Sequence, residues 1–127
     1  MPKILLVDDE EDQEDLMRQR LTRKKYLAGY DLLFARNGIQ ALHLLENQED
    51  IDLALIDINM PDIDGFQLLK RARQILPKLI VIFISAFDDI ENMDAGLSLG
   101  AIEFISKPIN FEQLDEILML ALRNKRI

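Results

Sequence analysis

Residues 53–65 read Leu-Ala-Leu-Ile-Asp-Ile-Asn-Met-Pro-Asp-Ile-Asp-Gly, and the fold turns on them. Four consecutive apolar residues, Leu53 to Ile56, predict a strand buried on both faces, because a half-exposed strand would alternate with polar residues. Asp57 then stands at the carboxyl end. Met60-Pro61 resists continuing either a strand or a helix, and Asp64-Gly65 predicts the start of a helix.

The same unit recurs on both sides of this stretch. Ile4 to Val7 form an apolar run that delivers Asp8, Asp9 and Glu10, and a helix is predicted from Glu11 to about Lys25 with Leu16, Met17 and Leu21 as its stripe. Gly29 ends it. Leu32 to Ala35 give a second strand, Asn37-Gly38 turns the chain, and Ile39, Leu42 and Leu45 recur at helical spacing. Asp64 caps a third helix with Leu68, Leu69, Ala72, Ile75 and Leu76, which stops before Pro77. Leu79 to Ile84 are a fourth strand ending in Ser85, and Asp88 caps a fourth helix with Ile90, Met93 and Leu97, closed by Gly100. Ala101 to Ile105 are the fifth strand, followed by Ser106-Lys107-Pro108. Asn110 and Gln113 have capping-box spacing before a last helix that runs to about Arg123.

Strand and helix alternate five times with short connections. The expected fold is therefore α/β, a doubly wound five-stranded parallel sheet in the order 2-1-3-4-5 flanked by five helices. Residues 1–127 are read as one domain, long enough to bury a core without disulfides or a structural metal. There is no cysteine, which excludes a thiolate metal site. No apolar run approaches the roughly eighteen residues of a membrane span, and the start of the chain lacks a signal-peptide pattern, so a cytoplasmic protein is expected. The net charge of -8 argues against this domain holding nucleic-acid phosphates by itself. Arg18, Arg20, Arg23, Lys24 and Lys25 form a basic cluster, read first as a solvated helix face and second as a docking surface for an acidic partner.

In an open parallel sheet, ligands bind outside the carboxyl ends of the strands, near the point where strand order reverses. Those ends carry Asp8 and Asp9, Asp57, Ser85 and Lys107. Three carboxylates on one rim repel by roughly 4 kcal/mol per pair if ~4 Å apart in an effective dielectric of about 20. Something positive must compensate. Lys107 offers one charge, and a hard divalent cation with oxygen ligands, expected to be Mg2+, offers two and leaves a position for a phosphate oxygen. That combination points to phosphoryl chemistry, with Asp57 as the attacking carboxylate. Asp9 and Asp57 are expected to bind the cation, the Asn59 main-chain carbonyl to complete the site, and Asp8 to hold a metal-bound water. Ser85 and Lys107 are expected to take the phosphoryl oxygens.

These residues resemble the receiver domains of two-component response regulators. Val7-Asp8-Asp9-Glu10, Asp57-Ile58-Asn59-Met60-Pro61 with Asp64-Gly65, Ser85-Ala86 and Lys107-Pro108 span the chain in the family's order. The resemblance implies a flavodoxin-like fold, Mg2+, and Asp57 as the phosphoacceptor. Its phosphodonor would be a sensor histidine kinase or a histidine phosphotransfer protein, and its own catalysis would be confined to gaining and losing the phosphoryl group. A cis Lys107-Pro108 bond is implied as well. So is a switch in which Ser85 moves toward the phosphoryl group, the Phe104 ring turns inward, and the face of helix 4, strand 5 and helix 5 changes. That face would serve a homodimer or an output domain. Phe104 lacks a tyrosine hydroxyl, so the switch would run on packing alone.

Arg23 to Tyr30 make the first helix or its loop longer than this resemblance implies, and the resemblance puts Phe87 where receivers vary the lifetime of the phosphoryl group, so it is expected either to slow that loss or to be a plain, partly exposed ring; His43 is expected to have a surface or packing role. Met119, Leu120 and Leu122 widen the apolar stripe of the last helix, read as a partner surface or a continuation into a coiled coil, with core packing as the alternative. The alternative function is a Mg2+-dependent phosphatase with an aspartate nucleophile. It needs a general acid two residues after Asp57, where this chain has Asn59. A flavin-binding domain of the same topology would need a phosphate-cradling loop after the first strand, where three acids stand instead.

Overall fold

The computed structural model describes residues 3–22, 31–48, 50–58, 60, 62–85 and 90–125. Strands β1 (Lys3–Val7), β2 (Asp31–Ala35), β3 (Ile51–Asp57), β4 (Ile80–Ser85) and β5 (Glu103–Ser106) form one parallel sheet in the order β2-β1-β3-β4-β5. Helices α1 (Glu11–Thr22), α2 (Gly38–Asn47), α3 (Gly65–Ile75), α4 (Ile90–Ser98) and α5 (Phe111–Lys125) connect or follow the strands. The order is the one expected from alternation. The reversal falls between β1 and β3, so Asp8 and Asp57 leave neighbouring strands at the same end.

Alternation along the strands divides the core in two. Leu5, Val7, Ala54, Ile56, Val81 and Phe83 face Ala41 and Leu45 of α2 and Leu68, Leu69 and Ala72 of α3. Ile4, Leu6, Leu53, Leu55, Ile82 and Ile84 face Met17 of α1 and Leu114, Leu118 and Leu122 of α5. Uninterrupted apolar strands were needed because both faces are covered.

Caps fix the helix starts. Asp64 Oδ1 accepts the Gln67 N–H at 2.8 Å, and Asn110 Oδ1 accepts those of Glu112 at 3.1 Å and Gln113 at 3.2 Å. Asn37, read from the sequence only as a turn residue, caps α2 by accepting the Gln40 N–H at 2.8 Å. Each such cap stabilises by about 1 kcal/mol.

Several expected stripes are shifted. In α1 Met17 is buried and Leu16 exposed, and in α2 Gly38, Ala41 and Leu45 face the sheet, which leaves Ile39 outside. Leu97 of α4 is also exposed, because α4 approaches through Gly96: a Cβ there would lie 2.7 Å from Phe83 Cδ2. In α5 Leu122 joins the core while Met119 and Leu120 stay exposed. Strand β5 starts at Glu103 rather than Ala101. Gly100 has φ +107°, a left-handed conformation suited to glycine, and the Ala101 N–H still bonds the Gly96 carbonyl at 3.1 Å, so the helix-ending turn consumes those residues. The Arg23 to Tyr30 extension, the Asp88 cap and Phe87 lie outside the described residues.

Candidate functional site

Sheet hydrogen bonding continues one step past the strand ends and places the polar residues. The Asp8 N–H bonds Ala35 O at 3.0 Å, the N–H of Ile58, next to Asp57, bonds Ile84 O at 3.0 Å, and the Lys107 N–H bonds Ser85 O at 2.7 Å. The rim is thus an extension of the sheet. The Lys107-Pro108 peptide is cis. Lys107 Nζ lies 3.1 Å from Asp57 Oδ2, 3.1 Å from Asp8 Oδ2 and 3.5 Å from Glu10 Oε1. Ser85, the last residue of β4, is buried beside Ser106 in the sheet register.

Asp8 and Asp57 are 5% and 4% exposed, so their charges are largely removed from water. Burial pushes the Asp8 carboxyl above its ordinary value. The Glu10 N–H and the Lys107 ammonium pull it down, and the charge of Asp57 adds to the rise. At Lys107 burial opposes the charged form, but the neighbouring Asp57 and Asp8 carboxylates outweigh it and the ammonium is pushed up to about 12. One ammonium therefore serves several carboxylates.

Carboxylate oxygens of Asp8, Asp9 and Glu10 all lie within 4.8 Å of one another. Asp8 Oδ2 is buried and has no directed hydrogen bond, its contact with Lys107 being an ion pair. An oxygen-only, anionic cluster with a buried acceptor still available fits a hard divalent cation. Glu10, noticed in the sequence as a charge but not as a candidate ligand, belongs to this cluster. Asp57, expected as a ligand, stands outside that group and is linked to Asp8 through Lys107 Nζ. Asn59, whose carbonyl was expected to complete the site, lies outside the described residues.

Phe104 is half-buried beside Phe83 in the register of β5 against β4. His43 is exposed on α2, as expected. Among the basic cluster, Arg18 is engaged in packing: it pairs with Glu14 at 3.5 Å and stacks over the Phe34 ring at 4.4 Å. Arg23, Lys24 and Lys25 lie outside the described residues.

A family model described as the response regulator receiver domain matches residues 4–119. The chain belongs to this family. Among curated relatives, the receiver is 33% identical over 96% of its length to a cyclic di-GMP phosphodiesterase of Thermotoga maritima, covering 31% of that protein. It is 35% identical over 95% of its length to the regulatory protein AtoC of Escherichia coli, covering 25% of it. The chain thus spans about a quarter to a third of these two relatives. A CheY-like receiver domain from Methanospirillum hungatei has the same fold, with a TM-score of 0.88, 31% identity and coverage of 99% and 97% of the two chains. Membership disfavours the phosphatase alternative, in keeping with Asn59 where that chemistry needs an acid. No helix among the described residues is long and apolar enough to cross a membrane.

Proposed function

We propose that this receiver accepts a phosphoryl group on Asp57 from a sensor histidine kinase or histidine phosphotransfer protein and signals through α4, β5 and α5. The observation that carries this is Lys107 Nζ, placed 3.1 Å from Asp57 Oδ2 and 3.1 Å from Asp8 Oδ2. A carboxylate oxygen of Asp57 attacks phosphorus as the phosphorus–nitrogen bond of the donor phosphohistidine breaks. Lys107, protonated at neutral pH, and the Ser85 hydroxyl hold the phosphoryl oxygens. Asp8, Asp9, Asp57 and the Asn59 carbonyl are the residues proposed for Mg2+, with Glu10 beside them. When bound, the ion offsets the charge of the phosphoryl oxygens and of the carboxylates.

Exposed apolar side chains support the output face. Leu97 of α4, Ile102 just before β5, and Met119 and Leu120 of α5 are 41–61% exposed. A second copy or an output domain would cover them. The net charge of -8 supports a domain that does not contact nucleic acid itself.

Intact mass after incubation with acetyl phosphate and Mg2+ tests the acceptor. A gain of one phosphoryl group is expected, absent in Asp57→Asn and in excess chelator. An unchanged mass in the folded wild-type protein would overturn the proposal.

A further inference from the structure

We propose that Glu10 makes phosphoryl transfer depend on the cation: its carboxylate strengthens the hold on Mg2+ and opposes an anionic phosphodonor until the ion is bound. This rests on Asp57 being the acceptor and on the cation site described above. The root of the side chain is fixed. The Glu10 N–H donates to Asp8 Oδ1 at 2.9 Å, and the Glu10 carbonyl accepts the Gln13 N–H at 3.2 Å where the chain enters α1. From there the carboxylate reaches Lys107, with Oε1 3.5 Å from Nζ. Lys107 meets three carboxylates, and they differ in access. The side chains of Asp8 and Asp57 are 2% and 5% exposed, and that of Glu10 is 57% exposed. Of the three, Glu10 is the one that an incoming ligand meets in water. Arg36, which lines a small cavity with Asp8 and Glu10, is engaged with other acids: it pairs with Glu11 at 3.2 Å and lies 3.9 Å from Glu14.

One charge acts in opposite directions on the two ligands. A carboxylate oxygen of Glu10 lies within 4.8 Å of those of Asp8 and Asp9, so a divalent ion held among them is attracted by all three. A phosphodonor brings negative charge to the ammonium that Glu10 already contacts. It must take Lys107 from Glu10 and is repelled by the same carboxylate. A bound divalent charge offsets that repulsion, so the donor is opposed most when the ion is absent. With acetyl phosphate as donor, an Asp57 oxygen forms a bond to phosphorus as the phosphorus–oxygen bond to acetate breaks, and acetate leaves with the electron pair. Glu10 takes no part in that exchange of bonds. It sets the electrostatic terms on which donor and ion reach Lys107 and the carboxylates.

Two readouts on the whole chain test this: Mg2+ affinity by calorimetry without donor, and the second-order rate of mass gain with acetyl phosphate across a Mg2+ series. Glu10→Gln is isosteric and keeps both backbone bonds. It is expected to bind Mg2+ about fivefold more weakly, yet at saturating Mg2+ to gain the phosphoryl group about threefold faster, both within the range of an exposed charge pair. Loss of a plain structural contact would move the two readouts down together. Unchanged affinity, or a saturating rate that is unchanged or lower, overturns the proposal. Glu11→Gln removes the same charge from the pair with Arg36 and is expected to stay close to the wild type in both readouts. An equal effect of Glu11→Gln would assign the shifts to net charge and also overturn it. A wild-type protein that bound no Mg2+ or gained no mass would remove the acceptor reading and this proposal together. A wild type that binds and reacts, matched by Glu10→Gln, would remove this proposal alone.

Discussion

Burial opposes charge at both Asp8 and Lys107, but the balance differs. Lys107 faces Asp57, Asp8 and Glu10, so its partners win, whereas Asp8 shares a single ammonium and is repelled by Asp57. The folded Asp8 carboxyl titrates above 3.8, so its contribution to stability is greatest in acid and is lost as pH rises through the folded value. Ionised Asp8 therefore destabilises the metal-free fold at neutral pH. Asp8→Asn is expected to raise the melting temperature in chelator by about 4 °C, on the order of 1 kcal/mol, and to shrink the further rise that Mg2+ produces. Thermal melts with and without Mg2+ check both. For Lys107 the charged form is the one the fold favours, and the pH slope again has the same sign. Its stabilisation is complete below pH 10.5 and lost as pH climbs through about 12, so urea midpoints are expected to fall across that window and to fall less in Lys107→Met.

At the scale of elements, packing overrides pattern wherever two backbones come close. Helix α4 meets the sheet through Gly96 because the Phe83 ring, itself edge-on to Phe66 with centroids 5.3 Å apart, occupies the space a side chain would need. Gly96→Ala gains about 1 kcal/mol of helix propensity. It is nevertheless expected to destabilise by about 1–3 kcal/mol net, because the Cβ must push against Phe83 from 2.7 Å, and urea unfolding reads the sign directly. Arg73 binds the same region from below. Its Nε donates to Leu79 O at 3.1 Å and its Nη2 to Gly100 O at 2.8 Å, joining α3 to the ends of two neighbouring segments.

Across the whole molecule, one sheet separates two apolar layers, built among the described residues from different side chains. Leu68 of α3 lies in one and Leu118 of α5 in the other, both fully buried. Each is expected to lose about 2–5 kcal/mol on truncation to alanine. The double variant is expected to lose the sum within about 0.5 kcal/mol, because the two sites belong to separate clusters on opposite faces of the sheet. Coincident circular dichroism and fluorescence-probe transitions would show that the layers nonetheless unfold as a unit.

Much of this was legible in the residues alone. Apolar runs ending in Asp8, Asp57, Ser85 and Lys107 determined the strands, their parallel arrangement and the rim on which the polar groups meet, because a buried parallel strand needs apolar residues on both faces and crossover handedness leaves few orders. Asp64 and Asn110 were readable as caps because their bonds span two or three residues. Other features have no local signature. Ile39, Leu97 and Leu16 fit a helical period yet lie outside, since which part of an apolar stripe meets the sheet depends on where Gly38, Gly96 and Met17 allow close approach. The bonds from Asp62 to α2 join residues more than twenty positions apart, and the shared Lys107 ammonium joins residues 50 positions apart. Such pairings exist only once the chain has folded, because a carboxylate and its donors reveal their distance in space and not in sequence.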